Sequence, residues 1–99
     1  MNVRRLEFHP DAVAEAEAQR LWYAERSHAA ADGFAKELEA ALDAILEDPN
    51  RWPGYIQGTR RYPLRRYPFL IVYRQVGEVI EILAIAHGHR KPGYWTSRS

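Results

Sequence analysis

The end of the chain concentrates groups capable of acid–base chemistry. His87-Gly88-His89-Arg90-Lys91-Pro92-Gly93-Tyr94-Trp95 sets two imidazoles, two cations and two aromatic rings side by side. An imidazole titrates near neutral pH, so His87 or His89 could take or give a proton. Arg65, Arg74 and Arg90 could grip a phosphate through paired N–H donors. Tyr94 could donate a hydrogen bond or stack on a base. Such groups suit metal-free cleavage of RNA, which needs a base, an acid and cations for the developing charge. The same residues also have purely structural roles open to them. His87 could be satisfied by backbone or by Glu81. Pro92-Gly93 could turn the chain so that Tyr94 and Trp95 latch over the sheet edge, with Arg90 and Lys91 solvated. A metal site is not expected. No acidic cluster lies near His87 and His89 to complete a ligand set. A Gly-rich phosphate loop is absent, and no cofactor is expected.

These groups need a strand to deliver them. Val79 to His87 reads as one, with Ile80, Ile82, Ala84 and Ala86 facing one way and Glu81, Leu83, Ile85 and His87 the other. Small Ala84 and Ala86 would let helices lie close, which assigns their face to a helical layer and His87 to the opposite face. Phe69-Leu70-Ile71-Val72-Tyr73-Arg74 is nearly all apolar, a central strand, joined to its successor by a tight turn at Val76-Gly77-Glu78. In the preceding strand Arg60, Tyr62, Leu64 and Arg66 share one side and Arg61, Pro63, Arg65 and Tyr67 the other. Pro63 makes it an edge strand.

The first half of the chain supplies the cover. Val3 to Phe8 reads as a short strand. Pro10 opens a helix to about Glu25, with Asp11 and Glu15 at the positive end of its dipole. Ala14, Ala18, Leu21 and Trp22 form its narrow apolar stripe. After the break at Ser27-His28, a second helix runs from about Ala30 to Glu47, with Phe34, Leu38, Ala41, Leu42 and Ile45 at helical spacing. Asp48-Pro49-Asn50 ends it, and Trp52 is expected to fold back as an anchor. The order β-α-α-β-β-β implies an α+β domain, residues 1–99, with a helical hairpin on one face of a small, mainly antiparallel sheet. The other face is expected to be partly bare, within reach of the edge-strand cations. The tail Thr96-Ser97-Arg98-Ser99 is expected to fray.

Composition narrows the context. The chain has 99 residues and no Cys, which excludes disulfides and thiolate chemistry and suits a cytoplasmic location. The charged start and missing apolar run argue against a signal peptide. No apolar run approaches the roughly 18 residues that cross a membrane. Net charge is +1, but residues 1–50 hold five cations against eleven anions, whereas residues 51–99 hold nine against two. Eight of those nine are Arg, suited to bidentate contacts with carboxylate or phosphate. Arg60, Arg61, Arg65, Arg66, Arg74 and Arg90, bordered by Tyr94 and Trp95, are therefore candidates to bind an acidic partner.

The pattern resembles a known family. Ile45-Leu46-Glu47-Asp48-Pro49 is followed by Arg51-Trp52-Pro53, then Arg60-Arg61. Arg65-Arg66-Tyr67-Pro68-Phe69 leads into Val72-Tyr73-Arg74, and the chain closes with Leu83 to Trp95. This order is similar to that of the RelE/ParE toxins of bacterial toxin–antitoxin pairs, also called plasmid stabilisation proteins. The resemblance implies a cytoplasmic toxin neutralised by a cognate antitoxin, expected to be of ribbon-helix-helix type with a segment that folds on binding. The ending looks more like the ParE branch, which binds and inhibits DNA gyrase. The alternative is a RelE-like nuclease that cuts messenger RNA in the ribosome, with His87, Arg65, Arg90 and Tyr94 as its catalytic groups. RelE-like nucleases carry cations on their central strands, whereas Phe69 to Tyr73 is apolar here.

Overall fold

The computed structural model describes residues 4–98. Strand β1 (Arg5–Phe8) is followed by helices α1 (Pro10–Ala24) and α2 (His28–Glu47) and strands β2 (Arg60–Pro63), β3 (Phe69–Val76) and β4 (Val79–His87). The sheet order is β1-β4-β3-β2, with β1 parallel to β4 and the other pairs antiparallel. The β-α-α-β-β-β reading and its α+β class hold. The expected start of the first strand, Val3, lies outside the described residues.

Local chemistry explains the boundaries. His9 and Pro10 open α1, with the Asp11 N–H donating to His9 Nδ1 at 3.1 Å. Ser27 caps α2 by accepting from the Ala30 N–H at 3.1 Å. Gly77, at φ +62, forms the β3–β4 turn in a conformation that favours glycine. Pro63 lies in edge strand β2 as expected.

The stripe on α2 faces the sheet as its spacing requires. Phe34, Ala41 and Ile45 are buried, with Leu38 and Leu42 packed beside them against Ile71, Tyr73, Ile80 and Ile82. Gly33 opens α2 to the turn before β3. A Cβ there would stand 2.5 Å from Tyr67 Oη, whose hydroxyl donates to the Ala30 carbonyl at 2.8 Å. Trp52 packs against the same core, its ring 4.3 Å from that of Tyr62.

The stripe expected for α1 points the other way. Ala14, Ala18, Leu21 and Trp22 are exposed, and the helix buries Ala12 and packs Ala16 and Tyr23 instead. The reason is the company α1 keeps. It sits against β4 beside a longer, more apolar helix, and small Ala12 and Ala16 allow the closest approach.

A second correction comes from a bulge. Tyr73 pairs with Ile82 and Val72 with Ala84, so Leu83 has no opposite number. The extra residue resets the alternation. Ile80 and Ile82 face the helices, but Leu83, Ala84 and Ala86 face away from them and Ile85 takes the helical side. His87 is accordingly carried to the helical side, its ring 5.3 Å from that of Phe69. The far face is not bare. Trp95, 2% exposed, covers Val72, Leu83, Ala84 and Ala86, with Tyr55, Ile56 and Tyr94 around it. The latch thus covers a sheet face rather than an edge.

This packing sets a test of which side of each helix is structural. Phe34→Ala should cost about 3–5 kcal/mol by the loss of a buried ring, whereas Leu21→Ala should stay within about 0.5 kcal/mol. Urea unfolding of both variants measures the difference.

Candidate functional site

Strand β1 pairs only with Val79–Ile82 of β4 before the chain turns into α1. The rest of that edge of β4 is closed by side chains. Glu15 of α1 accepts the Ile85 N–H on Oε1 at 2.9 Å. Arg98 donates from Nη1 to the Leu83 carbonyl at 3.0 Å. The two side chains then pair with each other, Arg98 Nη1 and Nη2 each reaching one Glu15 oxygen at 3.0 Å. Tyr94 completes the group by donating its hydroxyl to Glu15 Oε2 at 2.8 Å. Burial, and then the bond to the Glu15 carboxylate, pushes the Tyr94 phenol up to about 12. This clasp ties the tail to the sheet, so the expected fraying does not extend to Arg98, whose side chain is 13% exposed.

The candidate catalytic groups fall into different environments. His87 Nδ1 accepts from the His89 N–H at 3.1 Å, which places the proton of a neutral ring on Nε2. The two imidazoles lie side by side at the Gly88 turn, with ring centres 5.4 Å apart. Glu81, offered above as a partner for His87, instead binds Arg74 at 2.5 Å, directly across the β3–β4 pair. Arg90 lies with its guanidinium 3.7 Å over the Tyr94 ring. Arg65 sits at the turn after β2, where its N–H and that of Arg66 donate to Glu37 Oε2 at 2.6 and 3.1 Å. Among the described residues no group of three or more His, Asp or Glu could hold a metal ion.

The expected partner-binding residues are spread rather than gathered on one sheet face. Arg60 donates to the Trp52 carbonyl at 2.6 Å, on the helical side. Arg61 lies on the other side, 4.9 Å over Tyr55. Arg65 and Arg66 are exposed and, with Tyr62, Glu37, Ala40 and Ala41, line a cleft of about 430 Å³. Arg74 is paired with Glu81. Trp95 is corrected outright: a side chain filling the core of the far face cannot meet a partner in this fold.

Two recesses border α1. One, of about 370 Å³, lies between α1, α2 and the end of β1 and is lined mainly by Phe8, Val13, Ala16, Phe34, Ala35 and Leu38. The other, of about 350 Å³, is lined by Gln19, Trp22, Tyr23, Pro68, Phe69 and His87. Reading the sequence missed Glu15, Glu37 and Arg98. Glu15 carries one signal, an acid beside Ala12 and Ala16, the small residues that α1 turns inward.

A two-helix hairpin on a four-stranded sheet, with a strapped far face and flanking clefts, defines a small α+β domain. The comparisons with known proteins name it. A model described as "ParE toxin of type II toxin-antitoxin system, parDE" matches residues 6–92, so the chain belongs to that family, within the ParE/RelE superfamily. Toxin RelE1 of Caulobacter vibrioides is 34% identical over 70 residues, covering 69% of this chain and 75% of the relative. A structure of the chromosomal ParDE toxin–antitoxin system from P. aeruginosa matches with a TM-score of 0.75 at 22% identity, covering 88% of this chain and 98% of the other. The isolated E. coli RelE toxin matches with a TM-score of 0.61 at 16% identity, covering 96% and 95%. Both likenesses are of fold. No helix among the described residues is long and apolar enough to cross a membrane.

The clasp makes stability depend on alkaline pH. The folded state holds the Tyr94 proton more tightly than the unfolded chain, so this contribution is complete below pH about 10 and is lost toward about 12. Tyr73, its hydroxyl on the Pro49 carbonyl, is likewise raised by burial to about 12. Tyr94→Phe should therefore reduce, without abolishing, the fall in unfolding free energy across that window. Arg98→Ala leaves Glu15 without its cation and should cost about 2 kcal/mol or more. Denaturant titrations from pH 8 to 11.5 read both effects.

Proposed function

We propose that this type II toxin acts as ParE does, by binding DNA gyrase and blocking its activity, and that a cognate antitoxin neutralises it. The observation that carries the proposal is the occupied far face of the sheet. Trp95 fills it, and Tyr94, one of the candidate groups in the cleavage reading, spends its hydroxyl on Glu15. His87 lies on the helical side beside Phe69, and Arg65 is at the α2 end of a different turn. A general acid and base must reach the same phosphodiester within hydrogen-bonding distance. Here Tyr94 is anchored to Glu15 and the Arg65 backbone to Glu37, and only the two imidazoles are held side by side. Binding asks for less: exposed Arg and aromatic side chains beside apolar recesses.

The antitoxin has a ready seat. The recess lined by Phe8, Val13, Ala16, Phe34, Ala35 and Leu38 is almost wholly apolar, and the exposed Glu17–Arg20 pair, 2.6 Å apart, marks its rim. An amphipathic segment that orders on binding can place apolar side chains there. Exposed Arg65 and Arg66 offer carboxylates a second hold.

Ribosome-dependent cleavage of messenger RNA is the second reading, supported by the fold match to the E. coli RelE toxin and by the adjacent His87 and His89 rings. Two assays separate the readings. Added to gyrase and relaxed plasmid, the toxin should abolish supercoiling or trap cleaved DNA. On translating ribosomes, primer extension should find no cuts within codons. Codon-specific cuts with gyrase unaffected would overturn the proposal. His87→Ala should leave toxicity in cells within a few-fold, whereas a nuclease using this imidazole should lose about 10²-fold or more in rate.

A further inference from the structure

The outward stripe of α1 is absorbed by neither the core nor the apolar recess. Ala14, Ala18, Leu21 and Trp22 recur at helical spacing, yet all four are exposed, Leu21 by 48% and Trp22 by 49%. A helix ordinarily turns such a stripe inward, and single exposed apolar residues need no explanation. Here the residues are contiguous along one face, and the stripe ends at a built aromatic feature. The Trp22 ring stands edge-on to Tyr23 at 5.1 Å. The Arg26 guanidinium lies 3.6 Å over the same ring and donates to the Trp22 carbonyl at 2.7 Å. The ring is thus held in place before any partner arrives, which lowers the ordering cost of binding. Beside it opens the cleft of about 350 Å³ walled by Tyr23, Pro68 and Phe69, with the Gln19 amide and the His87 imidazole as polar groups.

We infer that this stripe and cleft are the face that meets the target protein, distinct from the recess between α1 and α2. The inference rests on the reading that the toxin acts by binding a target. The partner it fits is a protein surface that inserts one apolar or aromatic side chain beside Trp22 and brings carboxylates to Arg26 and to the basic loop His89-Arg90-Lys91. Glu25 approaches Arg26 at 3.8 Å but is 76% exposed, and so open a pair is readily exchanged for a partner's carboxylate. A second copy of the chain fits less well, because a parallel pairing of α1 with α1 sets Asp11 and Glu25, with side chains 63% and 76% exposed, opposite their own copies.

The test uses Trp22→Ala and Leu21→Ala toxins in the supercoiling assay, with antitoxin affinity, urea unfolding and sedimentation measured on the same preparations. Trp22→Ala should raise the half-inhibiting concentration at least about tenfold, as truncation of an interface anchor does. Antitoxin affinity should stay within about twofold, with the unfolding midpoint unchanged. Wild-type toxin that inhibits gyrase and a Trp22→Ala variant that inhibits it equally would overturn the assignment of this face and leave the gyrase reading standing. Wild-type toxin without effect on gyrase would remove both. Loss of antitoxin affinity with inhibition intact would give the face to the antitoxin, and a wild-type dimer dissolved by Trp22→Ala would give it to self-association. Either result overturns the inference.

Discussion

The interaction on which the rest of this structure depends is the closure of the β4 edge by Glu15 and Arg98. A strand edge presents N–H and C=O groups that must find partners. Strand β1 satisfies only the first half of β4, because His9 and Pro10 divert the chain into α1. Glu15 and Arg98 serve the next part, taking the Ile85 N–H and the Leu83 carbonyl as a neighbouring strand would. Their mutual charge pairing makes these hydrogen bonds stronger than neutral ones. It also joins residues 83 positions apart, so the first helix, the last strand and the tail become one unit.

Two consequences follow for function. The tail, once clasped, lays Trp95 on Val72, Ala84 and Ala86 and converts the far face of the sheet into a second small core. Chemistry that needs an open sheet is thereby displaced to the rims, where the Arg-rich turn after β2 and the His87 cleft lie. Helix α1 is positioned by the same clasp. With Glu15 directed at β4, residues 12, 16 and 23 must face inward and the Ala14–Trp22 stripe outward.

Much of this was legible in the chain. The element order, the α2 stripe, the edge position of the Pro63 strand and the Gly77 turn all follow from local rules acting over a few residues. The likeness of the Leu83–Trp95 ending to RelE/ParE toxins pointed to the family that the match over residues 6–92 establishes. The candidate site was less legible. Its residues were named by type, and type does not place them. Strict alternation puts His87 on the far face, and the unpaired Leu83 reverses that alternation and carries it to the helical side.

The sequence by itself determined the secondary structure, the class of fold and the unequal division of charge, because periodicity, proline, glycine and composition act locally. Only the tertiary structure decided which side of α1 is buried, which face receives His87, and that the tail is a structural strap. These depend on a one-residue bulge and on a carboxylate in the first helix meeting a guanidinium near the last residue. A contact made across that much chain leaves no local pattern, since nothing near Glu15 or Arg98 in sequence requires the other.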